Sequence, residues 1–256
     1  MFNIASALPI LTFHAIDDRS SVISFAPGLF SRAISRLHQS GFHSVGLLEA
    51  AACLRNGDPL PERACVVTFD DGYRSVYEEA FPVLQRYGIA ATVFLTVGGQ
   101  RDGHPGQRLP ALEQRSMLAW NEIREMQRAG IHFGAHTLTH PDLTRLAPEA
   151  LEREVVDSKN AIEDALGSSV DSFAYPYGRY DARSRKLVRR HFLCACSDRL
   201  GFAGPRSDVY ALERIDAYYL RSTAGLAAMS SRWFPWYIKA RALPRELRRG
   251  MQAIGR

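Results

Sequence analysis

The sequence predicts an α/β protein built on a parallel sheet, and three observations carry that expectation. Short apolar runs alternate with helix-period segments along the chain. Glycines in "SGF" (40–42), "YGI" (87–89) and "AGI" (129–131) sit where a helix hands over to a strand, as helix C-terminal caps do. With 256 residues that are 46% hydrophobic, the chain can bury a sizeable core without a disulfide framework. Strand–helix alternation of this kind places helices outside a parallel sheet, and seven or eight such units suit a closed barrel.

The predicted strands are 8–14 (LPILTFH), 42–46 (FHSVG), 64–69 (ACVVTF), 90–97 (AATVFLTV), 131–135 (IHFGA), 171–175 and 192–197 (FLCACS). Helical patterns fill 28–40, 47–55, 74–87, 120–129, 148–166 and 181–191. The polar insertion 98–116 reads as a functional cover, because loops of that length seldom persist without a role. Cys53, Cys65, Cys194 and Cys196 show no C-x-x-C spacing and read as reduced thiols.

In a parallel barrel, chemistry gathers at the C-terminal ends of strands. The residues just after the predicted strands are therefore informative. The first strand ends at His14, which either caps the strand or acts in a site. Strand 64–69 delivers Asp70, Asp71 and Gly72, either a plain Asp-Gly turn or a pair of carboxylates, one for a metal and one for a proton. Strand 131–135 runs into His136 and His140, whose His-x-x-x-His spacing suits two imidazoles on one metal; the alternative is two unrelated loop histidines. After 171–174 comes Tyr175, Pro176, Tyr177, Gly178, a loop whose backbone N–H groups can face a substrate oxygen or which simply packs its aromatics.

Charge is unevenly placed. The net charge is +5, but 232–256 holds seven Lys or Arg against one acid, a net of +6, so residues 1–231 sum to −1. The basic character belongs to a tail and argues against a nucleic-acid partner. That tail combines Trp233, Phe234, Trp236 and Tyr237 with its basic residues. Pro235 and Pro244 interrupt it, which favours aromatics packed on the barrel over a peripheral contact with an anionic membrane. The start, "MFNIASALPILTFHAI", lacks a basic n-region, and no stretch approaches about 20 apolar residues. The expectation is a cytoplasmic protein, with association at the inner membrane face if the tail makes that contact.

"TFDDG" (68–72), "HTLTH" (136–140) and "FAYPYG" (173–178), in this order, resemble the polysaccharide deacetylases, the NodB-homology domain of carbohydrate esterase family 4. The resemblance extends over about residues 8 to 220, leaving 221–256 as a basic aromatic helical tail. It implies a distorted (β/α) barrel of about seven strands. It also implies a hydrolase removing acetyl groups from N-acetylated sugars, with O-acetyl esters or non-sugar amides as alternatives on the same fold and an inactive glycan-binding barrel as the alternative of another class.

Carried onto this chain, the resemblance assigns Asp71, His136 and His140 as ligands of a divalent metal, zinc first, with cobalt or nickel as alternatives. It assigns Asp70 as general base and an acetylated glycan, an exopolysaccharide or its precursor, as substrate. Two departures matter. The family's late Leu-x-His motif is absent, but "LPILTFHAID" is similar to the opening strand of the circularly permuted poly-N-acetylglucosamine deacetylases, which makes His14 the candidate acid. Members of that branch act outside the cytoplasm, which disagrees with the reading of the N-terminus. Ala174 stands where many members carry an arginine that orients the base, and Arg214 in "LERID" (212–216) is the candidate replacement, reaching in from a late strand with Asp216 beside it.

Overall fold

A computed structural model describes residues 7–98 and 107–254. In chain order the elements are β1 (Ile10–Phe13), α1 (Pro27–Gln39), β2 (His43–Ser44), α2 (Leu47–Asn56), β3 (Ala64–Phe69), α3 (Phe81–Tyr87), β4 (Ala91–Leu95), α4 (Trp120–Arg128) and β5 (His132–Ala135). They continue with α5 (Pro148–Glu152), α6 (Ser158–Leu166), β6 (Ser172–Ala174), α7 (Ala182–His191), β7 (Cys194–Leu200), β8 (Leu212–Asp216), α8 (Thr223–Met229) and α9 (Phe234–Ile254). One π-helical turn, Val76–Ala80, leads into α3, and another, Arg153–Asp157, joins α5 to α6. The predicted cap glycines Gly41, Gly88 and Gly130 all take positive φ, the conformation that ends a helix at least steric cost.

All strand pairs are parallel, in the order β1-β8-β7-β6-β5-β4-β3, and β1 pairs again with β3 to close a seven-strand barrel. The seven are not the seven read from sequence. The 42–46 segment forms only the two-residue β2, which pairs with Ala64 and Cys65 at the start of β3, while β1 takes Val66 to Phe69 along the same strand. The seventh wall is β8, where two charges in "LERID" interrupt the apolar run that marks a strand. Of the 98–116 insertion, residues 99–106 lie outside the described residues.

Strand alternation sorts the core into two clusters. Odd-numbered Leu11, Phe13, Val67, Phe69, Val93, Leu95, Phe173 and Ile215 pack under the helices. Even-numbered Ile10, Val66, Phe94, Ala174, Cys194, Cys196 and Leu212 fill the barrel interior, with Leu47, Ala50 and Ala51 of α2 packed against them. The same even register carries His14, Asp70, His136 and Arg214. The alternation that buries the core therefore also aims these groups inward at the C-terminal end of the barrel. Phe13, Phe25 and Phe30 meet edge to face with centroids 5.1–5.2 Å apart, fixing α1 against β1.

The tail divides its aromatics between two environments. Phe234, Ile238 and Ala242 are buried, and Phe234 meets Phe202 edge to face at 5.4 Å. Trp233, Trp236 and Leu243 remain more than half exposed. Packing of all the aromatics on the barrel, the favoured expectation, therefore holds for only part of them. Among the described residues, no helix is long and apolar enough to cross a membrane.

Gly134 in β5 shows how full the interior is. A Cβ there falls 2.5 Å from Phe94 Cδ1 and 2.6 Å from Ser172 Oγ. Gly134→Ala is expected to lower unfolding free energy by about 1–3 kcal/mol in urea titrations. An unchanged midpoint contradicts the close packing.

Candidate active site

His14, Asp70, Asp71, His136, His140 and Arg214 meet in one cleft of about 400 Å³ at the C-terminal ends of the strands. Asp70 continues the inward register of β3. Asp71 is off that register, and its φ of 74° turns its carboxylate back into the same cleft. The next residue, Gly72, leaves no room for a side chain: its Cβ falls 2.9 Å from Leu95 Cδ2. Backbone reversal is how two adjacent acids come to serve one site.

Arg214 is buried and grips Asp70 with both arms, NH1 to Oδ1 at 2.7 Å and NH2 to Oδ2 at 2.6 Å. Its Nε donates to the Ser197 carbonyl at 2.9 Å, fixing the fork in the barrel interior. Burial raises the Asp70 carboxyl, but the paired guanidinium outweighs it and holds the group well below the usual carboxylate range. His14 Nε2 lies 3.8 Å from Asp70 Oδ2. The structure thus brings Arg214 to the acid that the sequence suggested it would meet.

His136 Nε2 and His140 Nε2 each lie 3.4 Å from Asp71 Oδ1. That oxygen is buried with no hydrogen-bond partner. The three ligand atoms sit within 4.8 Å of one another. His136 Nδ1 donates to the Ala174 carbonyl at 2.7 Å, which leaves the Nε2 lone pair facing Asp71. Ala174 thus supports the site through its backbone where the family arginine has no counterpart. Burial and the neighbouring His136 lower His140 to about 4, so it is neutral at physiological pH. A buried, unpartnered carboxylate oxygen facing two imidazole nitrogens is a donor set that fits a divalent cation. These three side chains could together hold a divalent metal ion.

The 175–178 loop contributes less than the sequence suggested. Tyr175 N donates to the Cys196 carbonyl at 3.1 Å, its hydroxyl donates to the Tyr210 carbonyl at 3.0 Å, and Pro176 has no N–H. Gly178 N donates to the Tyr175 carbonyl at 2.8 Å, and a Cβ there falls 2.2 Å from Asp198 N. Tyr175, Pro176 and Gly178 therefore shape the turn instead of offering N–H groups to a substrate. Tyr177, at φ 57°, is exposed beside His140, with ring centroids 4.6 Å apart.

Three contributors carried no clear signal in the sequence. Glu154, on the second π turn, accepts from Leu138 N and Thr139 N at 2.9 Å and from Thr139 Oγ1 at 2.7 Å, tying down the loop between the two histidines. Tyr73 lines the cleft, and its hydroxyl is buried without a partner. Glu113 enters the cleft from a tight hairpin in which Glu113 and Gln114 both take positive φ.

A family profile described as polysaccharide deacetylase matches residues 57–193. YxkH of Bacillus subtilis (strain 168) is 29% identical over 209 residues, covering 81% of this chain and 70% of its own. The poly-beta-1,6-N-acetyl-D-glucosamine N-deacetylase of Escherichia coli (strain K12) is 27% identical over 135 residues, half of this chain but one fifth of that protein (20%). The solved structure of the Streptococcus pyogenes deacetylase PplD in complex with acetate superposes with a TM-score of 0.73 at 25% identity, covering 82% of this chain and 92% of that one.

Replacing Arg214 by Met strands a buried carboxylate, and unfolding free energy is expected to fall by about 3–5 kcal/mol at neutral pH. The folded-state pKa of Asp70 is depressed, so the pair's contribution is present above about pH 4 and is lost as pH falls through the folded value. The gap between wild type and variant then narrows in acid; a gap independent of pH contradicts the assignment. Glu154→Gln is expected to weaken divalent-metal affinity roughly 10- to 100-fold in a chelator competition without unfolding the protein. Unchanged affinity removes Glu154 from the site.

Proposed function

Because this chain belongs to the polysaccharide deacetylase family, we propose that it hydrolyses the acetamide of N-acetylated sugars in an exopolysaccharide or its precursor. The observation that carries this reading is the buried Asp71 oxygen, unpartnered and 3.4 Å from two imidazole nitrogens, beside a separate carboxylate held by Arg214. One acid is left for a metal and the other for a proton.

Asp71, His136 and His140 would hold a divalent metal, which would supply Lewis-acid chemistry in this cleft. Asp70 accepts a proton from the water that attacks the acetyl carbonyl. Arg214 keeps Asp70 ionised and in one orientation. Tyr177 is the loop residue whose N–H suits the developing oxyanion, since its neighbours' donors are committed elsewhere. His14, with Nε2 3.8 Å from Asp70 Oδ2, protonates the departing nitrogen, which cannot leave as an amide anion. This need for an acid favours the amide reading, because an ester oxygen leaves with less help.

Purified protein is expected to carry close to one divalent metal per chain by elemental analysis, lost in His136→Ala and Asp71→Ala. It is expected to release acetate from N-acetylglucosamine oligomers. His14→Ala should lower kcat on the amide by roughly 10²–10⁴ while retaining metal, with a smaller loss on an O-acetyl ester. A metal-loaded protein that cleaves only the ester supports the esterase reading instead. A protein that binds no zinc, cobalt or nickel contradicts the mechanism.

A further inference from the structure

Among the described side chains of α9, one face is buried and the opposite face is exposed. Phe234, Ile238 and Ala242, spaced by four residues, are buried. On the opposite face, Trp233, Trp236, Ala240 and Leu243 form an exposed stripe at helical spacing. Trp233 belongs to this stripe because Tyr237 N donates to its carbonyl at 2.9 Å, which sets it at the helix start. Tyr237 OH donates to the Tyr219 carbonyl at 2.8 Å, which anchors the helix and fixes which face looks outward.

Cations flank the stripe. The Arg232 guanidinium lies 5.2 Å from the Trp233 ring centroid and the Lys239 ammonium 5.7 Å from that of Trp236. Arg232 and Lys239 lie along one border on a helical wheel, with exposed Arg241 beyond the other. The segment carries a net of +6 while residues 1–231 sum to −1.

We propose that α9 lies in the headgroup plane of an anionic lipid surface, with Trp233, Trp236 and Leu243 among the upper acyl chains and the flanking bases on lipid phosphates. Tryptophan favours this boundary because its ring is apolar and its N–H is polar. Long basic side chains keep their charge at the phosphates while their stems cover apolar surface. Charge also separates this occupant from a second copy of the chain. Pairing two such helices brings a segment of net +6 against another of net +6, whereas an anionic bilayer complements the segment. The proposal stands independently of the substrate assigned above.

The test is co-sedimentation of the full chain with phosphatidylcholine vesicles, with and without phosphatidylglycerol, at low and high salt. Binding is expected only with phosphatidylglycerol and is expected to weaken with salt. Tryptophan emission should shift to the blue as Trp233 and Trp236 leave water, since Trp120 is already buried. The double variant Trp233→Ser/Trp236→Ser should lose that shift and bind at least about tenfold more weakly, with an unchanged thermal midpoint. Lys239→Gln/Arg241→Gln should lower partitioning on the order of tenfold. Equal binding to both vesicle types overturns the proposal, as does wild-type binding by the tryptophan variant. A dimer in sedimentation velocity that the tryptophan variant abolishes, without vesicle binding, assigns the stripe to a second copy instead.

Discussion

The ion pair between Asp70 and Arg214 is the constraint on which the site's geometry depends. It joins the end of β3 to β8, the two strands that flank β1, between residues 144 positions apart in sequence. Two charged groups can be buried in the barrel interior because each satisfies the other. The fork is held further by the Ser197 carbonyl, with Thr68 Oγ1 3.4 Å from NH1. Thr68 in turn donates to the Leu11 carbonyl at 2.9 Å, so the pair's surroundings reach β1 and the strand that ends at His14. Once Asp70 is committed to Arg214, Asp71 alone remains to face the imidazoles. The proposed division of labour between the adjacent acids thus rests on a contact outside the Asp71–His136–His140 group.

Local strain is concentrated at the same end of the barrel. Asp71, Thr137, His140 and Tyr177 all take positive φ, and for β-branched Thr137 this is a costly conformation. These residues are held by tertiary bonds: Thr137 Oγ1 accepts from His140 N at 3.0 Å, and Glu154 collects the neighbouring N–H groups. The π turn that carries Glu154 inserts an extra residue into the α5–α6 helix, a device common near functional sites. Strain paired with specific restraints keeps the ligand set in one arrangement.

Much of this was legible in the sequence, for physical reasons. Asp70, Asp71, His136 and His140 follow short, mainly apolar runs, so strand-end placement is legible directly. His14 and Arg214 lie outside residues 57–193. His14 was found because it ends an apolar strand, and Arg214 only through the missing arginine at Ala174. The strand bearing Arg214 was the harder inference, because an inward arginine breaks the pattern that identifies strands. The opposite error occurred at 42–46, where a strand-like composition forms only two bridged residues. Glu154 and Tyr73 gave no signal because their roles depend on which loop they face, and spacing does not encode that.

The most direct test of the division of labour is a crystal structure of the metal-loaded protein with anomalous scattering at the metal's absorption edge. The account predicts one peak bound by Asp71, His136 and His140 at about 2.0–2.2 Å, with Asp70 outside that sphere and still bidentate to Arg214. A metal bound by Asp70, or an Asp70 released from Arg214 when metal is present, contradicts it.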